Sequence, residues 1–412
     1  MTLEELAGRA ADAVDGDRAV TLTQQLVRIR SVYEPSTDGN EAEAAGFVAD
    51  VLRDSGFAVV VEEAAPGRPN VVADWHGEGF DPGKHKTLLL EGHTDVVTEG
   101  DPDRWRYPPF AAEIVGGRLY GRGACDMKAG VAAAIVAAEA VKRVVPDLSG
   151  RVRLGVVADE EGMMTGIKHF IRQGWADRVA GAIVCEPEAL ELCLHQKGAM
   201  RVGVLATGEM AHGAMPYAGI NPVPPLTDFL GAVRGLEASE QSRLGEHSSL
   251  GRPWLTPTIL RAPATGEAQL NVVPETAYAA LDVRTVPGQN HQEVWERLGA
   301  LARETQGRAT LELTLLEDRP WTETPTGDPL VQALEKAYPG VLGTPARYGG
   351  VPGATDGTFL SAWAGVPIVT VGPGVREVPH QRDEYVDTAD IVKAARLYAA
   401  AAVYFLGGPA TP

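Results

Sequence analysis

Residues 86–95 read Lys-Thr-Leu-Leu-Leu-Glu-Gly-His-Thr-Asp. The run from Lys86 to Leu90 is short and almost wholly apolar. That pattern fits a strand covered on both faces, as in a parallel sheet flanked by helices, better than one exposed to water on alternate residues. The strand runs into Glu91-Gly92-His93-Thr94-Asp95, where acids and an imidazole replace the leucines. In an open parallel sheet, ligands bind beyond the carboxyl ends of the strands. This stretch therefore suggests both the kind of sheet and the place of the chemistry.

Working outward, the flanking sequence alternates helix and strand. Leu22, Leu26 and Ile29 share one face of a helical segment within residues 1–30, and Glu41–Ser55 reads as a further helix. Phe57–Glu63 and Asn70–Trp75 are β-rich, and Gly116-Gly117 marks a hairpin. A long Ala-rich helix is expected from Met127 to Val144, then a strand at Arg151–Val157, a helix at Gly166–Arg172 and a strand at Ala182–Cys185. This order predicts an α/β fold with a mostly parallel sheet and helices on both sides.

The pattern changes at Met200–Ala206, which alternates apolar and polar residues as a half-exposed antiparallel strand does. A helix at Pro225–Leu236, a strand at Thr276–Arg284, a helix at His291–Thr305 and a strand at Thr310–Leu316 complete a smaller α+β unit of ferredoxin-like type. The α/β pattern resumes with helices at Pro329–Ala337, Gly357–Trp363 and Ala389–Phe405 and a strand at Val366–Val371. The expected organisation is a discontinuous catalytic domain, residues 1–197 and 318–412, interrupted by an inserted domain at 198–317.

A chain of 412 residues has room for about two or three domains. Its charge is 37 − 55 = −18, which disfavours general binding to nucleic acid or to anionic membranes. The Ala-rich runs Gly130–Val141 and Ala394–Leu406 are broken by Glu139 and Arg396, short of the ~20 apolar residues of a membrane span. Met1-Thr2-Leu3-Glu4-Glu5-Leu6 lacks the basic-then-apolar pattern of a signal peptide. A soluble, cytoplasmic protein is expected. Cys125, Cys185 and Cys193 have no paired spacing, so they read as buried reduced thiols.

Four strand ends carry reactive groups. Besides His93 and Asp95, Arg151–Val157 leads to Asp159-Glu160-Glu161-Gly162, Ala182–Cys185 leads to Glu186-Pro187, and Val366–Val371 leads on to His380. Asp126 sits between a Gly-rich turn and a helix. Each residue alone has an ordinary role, such as a helix cap for Asp126. Together, two histidines and three carboxylates on one edge of a sheet supply the ligands that Zn²⁺ accepts. Five ligands with one shared carboxylate suit two ions about 3.5–4 Å apart. His93 and Asp95 lie two apart and face one side, so Asp95 can hydrogen-bond the second ring nitrogen of His93. Glu160 and Glu161 are adjacent and cannot share a task. One can bind metal while the other acts as a base.

The strings Gly92-His93-Thr94-Asp95, Gly121-Arg122-Gly123-Ala124-Cys125-Asp126-Met127-Lys128, Asp159-Glu160-Glu161-Gly162, Glu186-Pro187, and Gly372-Pro373 with His380 and Asp383-Glu384 resemble a known family. It is the co-catalytic di-zinc amidohydrolases and metallopeptidases: acetylornithine deacetylase, succinyl-diaminopimelate desuccinylase, aminoacylases and glutamate carboxypeptidase. The motifs run in order along nearly the whole chain. The resemblance implies two divalent ions, Zn²⁺ or alternatively Co²⁺. Asp126 would be shared by both, with His93 and Glu186 completing one site and Glu161 and His380 the other. It implies Glu160 as the general base for a bridging water, Asp95 as the group that orients His93, and a cis Asp126–Met127 peptide. It implies that the inserted domain dimerises the chain and that His212 stabilises the oxyanion in the partner subunit's site. Asn271 and Arg284 would hold a substrate carboxylate, with Lys197, Gly353 and Thr355 as further substrate contacts. The implied activity is amide hydrolysis of a small N-acyl amino acid, of deacetylase or desuccinylase type. The alternative is a metallo-carboxypeptidase or dipeptidase acting on a short peptide. No dedicated phosphate loop supports a phosphoesterase. A relative that had become only a binding protein would be expected to lack the base or a ligand, and none is missing.

Overall fold

Leu88 and Leu90 join one apolar cluster, Leu89 joins another, and all three are buried. Their strand, Thr87–His93, is thus covered on both faces, which is why no polar residue interrupts the leucines. Burying a leucine side chain contributes roughly 1.5–3 kcal/mol, so this strand anchors the sheet. The computed structural model describes residues 1–34 and 40–407. The chain divides into two compact units, one of Met1–Leu194, Thr324–Gly350 and Thr355–Pro412, the other of His195–Glu323 with Val351–Ala354.

In the first unit the sheet runs in the order Ala58–Ala65, Arg68–His76, Arg151–Val157, Thr87–His93, Val179–Val184, Ile368–Thr370 and Leu192–Gln196. Arg151–Val157 through Ile368–Thr370 are parallel neighbours. The flanking pairings are antiparallel. Helices Leu3–Asp12, Gly16–Arg28, Ala129–Val144, Pro329–Leu342 and Thr388–Leu406 bury their apolar residues with Leu88 and Leu90. Thr165–Arg172 and Gly357–Ala364 cover the face of Leu89. The α/β class with a mainly parallel central sheet is therefore as expected. The segment within residues 1–30 forms a pair of helices instead of one. The Ala-rich helix starts at Ala129 rather than Met127, because Asp126 and Met127 leave helical geometry.

The second unit holds an antiparallel sheet ordered Trp254–Arg261, Thr276–Thr285, Gly198–Thr207, Thr310–Arg319. Helices Val223–Leu244 and His291–Thr305 bury Phe229, Val233, Val294 and Leu298 against it. Chain order is strand, helix, two strands, helix, strand, which is the ferredoxin-like arrangement. Among the described residues no helix is long and apolar enough to cross a membrane. All three cysteines are free and buried.

Candidate metal centre

The strand ends of the first unit bring the acids and histidines together. His93 closes its strand and is 1% exposed. Its Nδ1 lies 3.0 Å from the backbone carbonyl of Asp95 and 3.4 Å from the Asp95 carboxylate. With the ring proton on Nδ1, Nε2 presents a lone pair. That nitrogen is buried without a hydrogen-bond partner. It faces Asp126 Oδ1 at 3.3 Å, Glu186 Oε1 at 3.5 Å and Glu160 Oε2 at 3.9 Å.

On the other side, His380 Nε2 lies 3.4 Å from Asp126 Oδ2 and 3.0 Å from Glu161 Oε1. Asp126 thus turns one oxygen to each histidine. It does so from a kink with φ −116° and ψ 99°, after Gly123 at φ 82° and before the Ala129 helix. The Asp126–Met127 peptide is cis. The donor atoms gather into one triad of His93, Glu160 and Glu186 and another of Asp126, Glu161 and His380.

The electrostatics are those of an acid-rich cage. Burial, then the charge of Asp126, pushes Glu186 up to about 8. Glu160 is raised well above the carboxylate range by burial, with Glu186 adding to it against His93. Hydrogen bonds to Asp126 and Glu161 raise His380 to about 10. Burial lowers the affinity of His93 for a proton, but Asp126, Asp95 and Glu186 outweigh it and raise the imidazole well above its ordinary value. Burial is the larger cause for the two glutamates, and neighbouring carboxylates raise the two histidines, as expected of a cage with more acid groups than imidazoles. With His93 neutral, its Nε2 lone pair and the carboxylate oxygens it faces repel unless a proton or a metal ion lies among them. Imidazole and carboxylate are the donors that borderline and hard divalent ions take. The residues present fit such ions.

Asp95 does more than its spacing suggested. Its Oδ1 accepts the backbone N–H of Glu160 at 3.2 Å, and its Oδ2 accepts that of Glu161 at 3.0 Å. The nearer oxygen to His93 is its backbone carbonyl, so the carboxylate mainly holds the Glu160-Glu161 turn. Arg68 in turn pairs with Asp159 at 3.1 Å, and Asp159 adopts φ 67° at the start of that turn.

Other site residues had no role derivable from spacing. Glu384 accepts from the backbone of Cys125 and Asp126 and pairs with Arg122, 262 positions away in sequence. Glu91 and Asp356 are buried carboxylates without hydrogen-bond partners. Burial and then Glu186 raise Glu91, and burial and then Glu91 raise Asp356. Strand alternation could have flagged Glu91, which shares a face with His93. For Asp356 only the structure supplies the proximity.

The expected substrate-side residues lie largely in the second unit. His212 sits in a two-residue strand paired with Val272–Val273, where Gly213 N–H donates to the Asn271 carbonyl at 2.6 Å. His212 and Asn271 are thus brought together. Lys197 donates to the Arg252 carbonyl at 2.7 Å, and burial, then Arg284, lowers its pKa. Arg284 Nε holds Asp282 at 3.1 Å. Gly353 falls in this unit, whereas Thr355 falls in the first, where its Oγ1 accepts from Gly357 N–H at 3.2 Å.

A strand-end cage of two histidines and several acids in this sheet is the kind of place where divalent metal ions bind. Residues 89–404 match Peptidase family M20/M25/M40, and the chain belongs to that family. The succinyl-diaminopimelate desuccinylase of Roseobacter denitrificans is 29% identical over 92% of this chain and 96% of its own. An M20 family metallo-carboxypeptidase from Sulfolobus solfataricus superposes with a TM-score of 0.75 at 18% identity, covering 95% of this chain and 99% of its own. A dinuclear metal-binding M20 peptidase from Bacillus subtilis gives 0.68 at 16% identity, over 95% and 98% of the two chains.

Proposed function

We propose that this hydrolase cleaves the amide bond of a small N-acyl amino acid, of acetyl or succinyl type, with two divalent ions. His93, Asp126 and Glu186 would hold one ion and Asp126, Glu161 and His380 the other. The observation that carries the reading is the Asp126 carboxylate, with Oδ1 3.3 Å from His93 and Oδ2 3.4 Å from His380. Zn²⁺ or Co²⁺ bound there would polarise the scissile carbonyl and lower the pKa of an attacking water from about 15.7 toward ~7.

The chain's own groups supply the rest. Glu160 is the most distant of the three carboxylates from His93 Nε2, at 3.9 Å. In this reading it is the base, which takes the water's proton and passes it to the leaving amine. Asp95 fixes the base by binding the backbone N–H groups of Glu160 and Glu161. In this reading the chain is a cytoplasmic homodimer. His212 serves the partner subunit's site by hydrogen-bonding the oxyanion, and losing such a donor typically costs on the order of 10²–10³ in turnover. Arg284 and Asn271 bind the substrate carboxylate, for which a guanidinium fork is well shaped. Lys197, Gly353 and Thr355 are further substrate contacts in this reading.

The desuccinylase relative supports the acyl substrate. A second reading, cleavage of a dipeptide or a C-terminal residue, draws on the likeness to the metallo-carboxypeptidase. The test is a panel of N-acetyl, N-succinyl and N-formyl amino acids beside dipeptides, run with Zn²⁺- and Co²⁺-loaded protein. Preference for the acyl amino acids is expected. Turnover of dipeptides alone would move the protein to the second reading, and turnover of neither would overturn both.

A further inference from the structure

Asp126 and His380 are candidate ligands that stand outside regular helix and strand geometry. Asp126 stands in a kink outside helical geometry. His380 stands on a loop at φ 65°, with its side chain 53% exposed. Yet these two must face each other across one ion if the reading above holds, on which this inference rests. A single buried ion pair reaches both. Glu384 is fully buried, and its Oε1 accepts the backbone N–H of Cys125 at 2.9 Å and of Asp126 at 3.1 Å. Its Oε2 accepts from Arg122 Nη1. Arg122 Nη2 then reaches the His380 carbonyl at 3.4 Å and the Thr98 carbonyl at 3.3 Å. The guanidinium lies over the Trp105 ring, 5.1 Å from its centroid, which fixes its plane.

We infer that Arg122 and Glu384 form a positioning clamp that sets the Asp126-to-His380 separation, and so the affinity of the ion those two side chains would share with Glu161. The physical reason is that a buried ion pair is a poor device for stability, because desolvating both charges offsets their attraction. What a guanidinium–carboxylate pair supplies is direction, through several donors and acceptors held at fixed angles. Here those directions end on the main chain of two candidate ligands that lie far apart in sequence. Arg122 Nε is left buried without a partner. The guanidinium is thus placed by the groups it connects and not by satisfying all its own donors. Groups that support ligands from behind typically change metal affinity by about 10–100-fold when replaced.

The test is stepwise binding of Zn²⁺, measured by calorimetry with a competing chelator on the full-length apo protein. Arg122→Lys keeps the charge but loses the fork; Glu384→Gln keeps the shape but loses the charge. His380→Ala identifies which binding step belongs to the Asp126, Glu161 and His380 triad. The clamp predicts that Arg122→Lys and Glu384→Gln weaken that step by about 10–100-fold and move the other step less, while Glu384→Gln, which leaves the buried Arg122 guanidinium without its counter-charge, also lowers the melting temperature of the apo protein. If Glu384→Gln fails to fold, Arg122→Lys carries the test with the same readout. Two unchanged steps in the variants would overturn the clamp alone. So would equal weakening of both steps, since that is general loosening. A wild type with one step only, insensitive to His380→Ala, would overturn the two-ion reading and the clamp with it.

Discussion

Glu160 and Glu161 are neighbours in the chain, yet the turn sends them to different histidines. Glu161 hydrogen-bonds His380, while Glu160 stays 3.9 Å from His93. If Glu160 is the base and not a ligand, Glu160→Gln should retain both metal ions and lose turnover by on the order of 10²–10⁴-fold. Metal analysis and steady-state kinetics on one sample check this. Loss of an ion would make Glu160 a ligand instead. Much at this scale was legible from strand ends, since His93, Glu160, Glu161 and Glu186 follow apolar runs directly. Asp126 and His380 needed the whole set of motifs. The backbone contacts of Asp95 and the Glu384–Arg122 pair were not legible, because they depend on turn geometry and on partners distant in sequence.

Among the elements, the helix Ala129–Val144 sits so close to the Val179–Val184 strand end that a Cβ on Gly130 would lie 2.0 Å from the Cys185 carbonyl oxygen. That obstacle is backbone and cannot swing aside. Gly130→Ala should therefore destabilise the fold by about 1–3 kcal/mol and displace Glu186, which follows Cys185. Chemical denaturation and metal titration read the two effects. In the second unit, Glu240 ties the helix Val223–Leu244 to the helix His291–Thr305 by accepting from Arg243, Gln289 and Arg297. The Arg243 hydrogen bond, against burial and with help from Gln289 and Arg297, lowers Glu240 to about 2 from an ordinary 4.5. Its stabilising contribution is complete above about pH 4.5 and is lost as the pH falls through about 2. Melting curves between these limits should fall less steeply for Glu240→Gln than for the wild type. Elements with clear periodicity were legible: the helix His291–Thr305 was read to its ends. The strand Trp254–Arg261 was not, since Pro257 interrupts it and Leu255 is its sole buried residue. Leu192–Gln196 escaped notice because a five-residue run without alternation is weak evidence for a strand.

Across the whole molecule, a net charge of −18 and a buried knot of acids work against folding unless cations neutralise the knot. Ion binding should thus stabilise the native state. Zn²⁺ at 100 times its dissociation constant should add about 2.7 kcal/mol per site. Chelation should lower the melting temperature and abolish hydrolysis together. Differential scanning calorimetry with and without chelator tests the coupling, and equal melting temperatures would contradict it. The most direct measurement is a crystal of the Zn²⁺-loaded protein with diffraction recorded on both sides of the zinc absorption edge. The account predicts two anomalous peaks about 3.5–4 Å apart, one on each side of the Asp126 carboxylate, with His93 at one and His380 at the other. A single peak, or peaks away from Asp126, would contradict it.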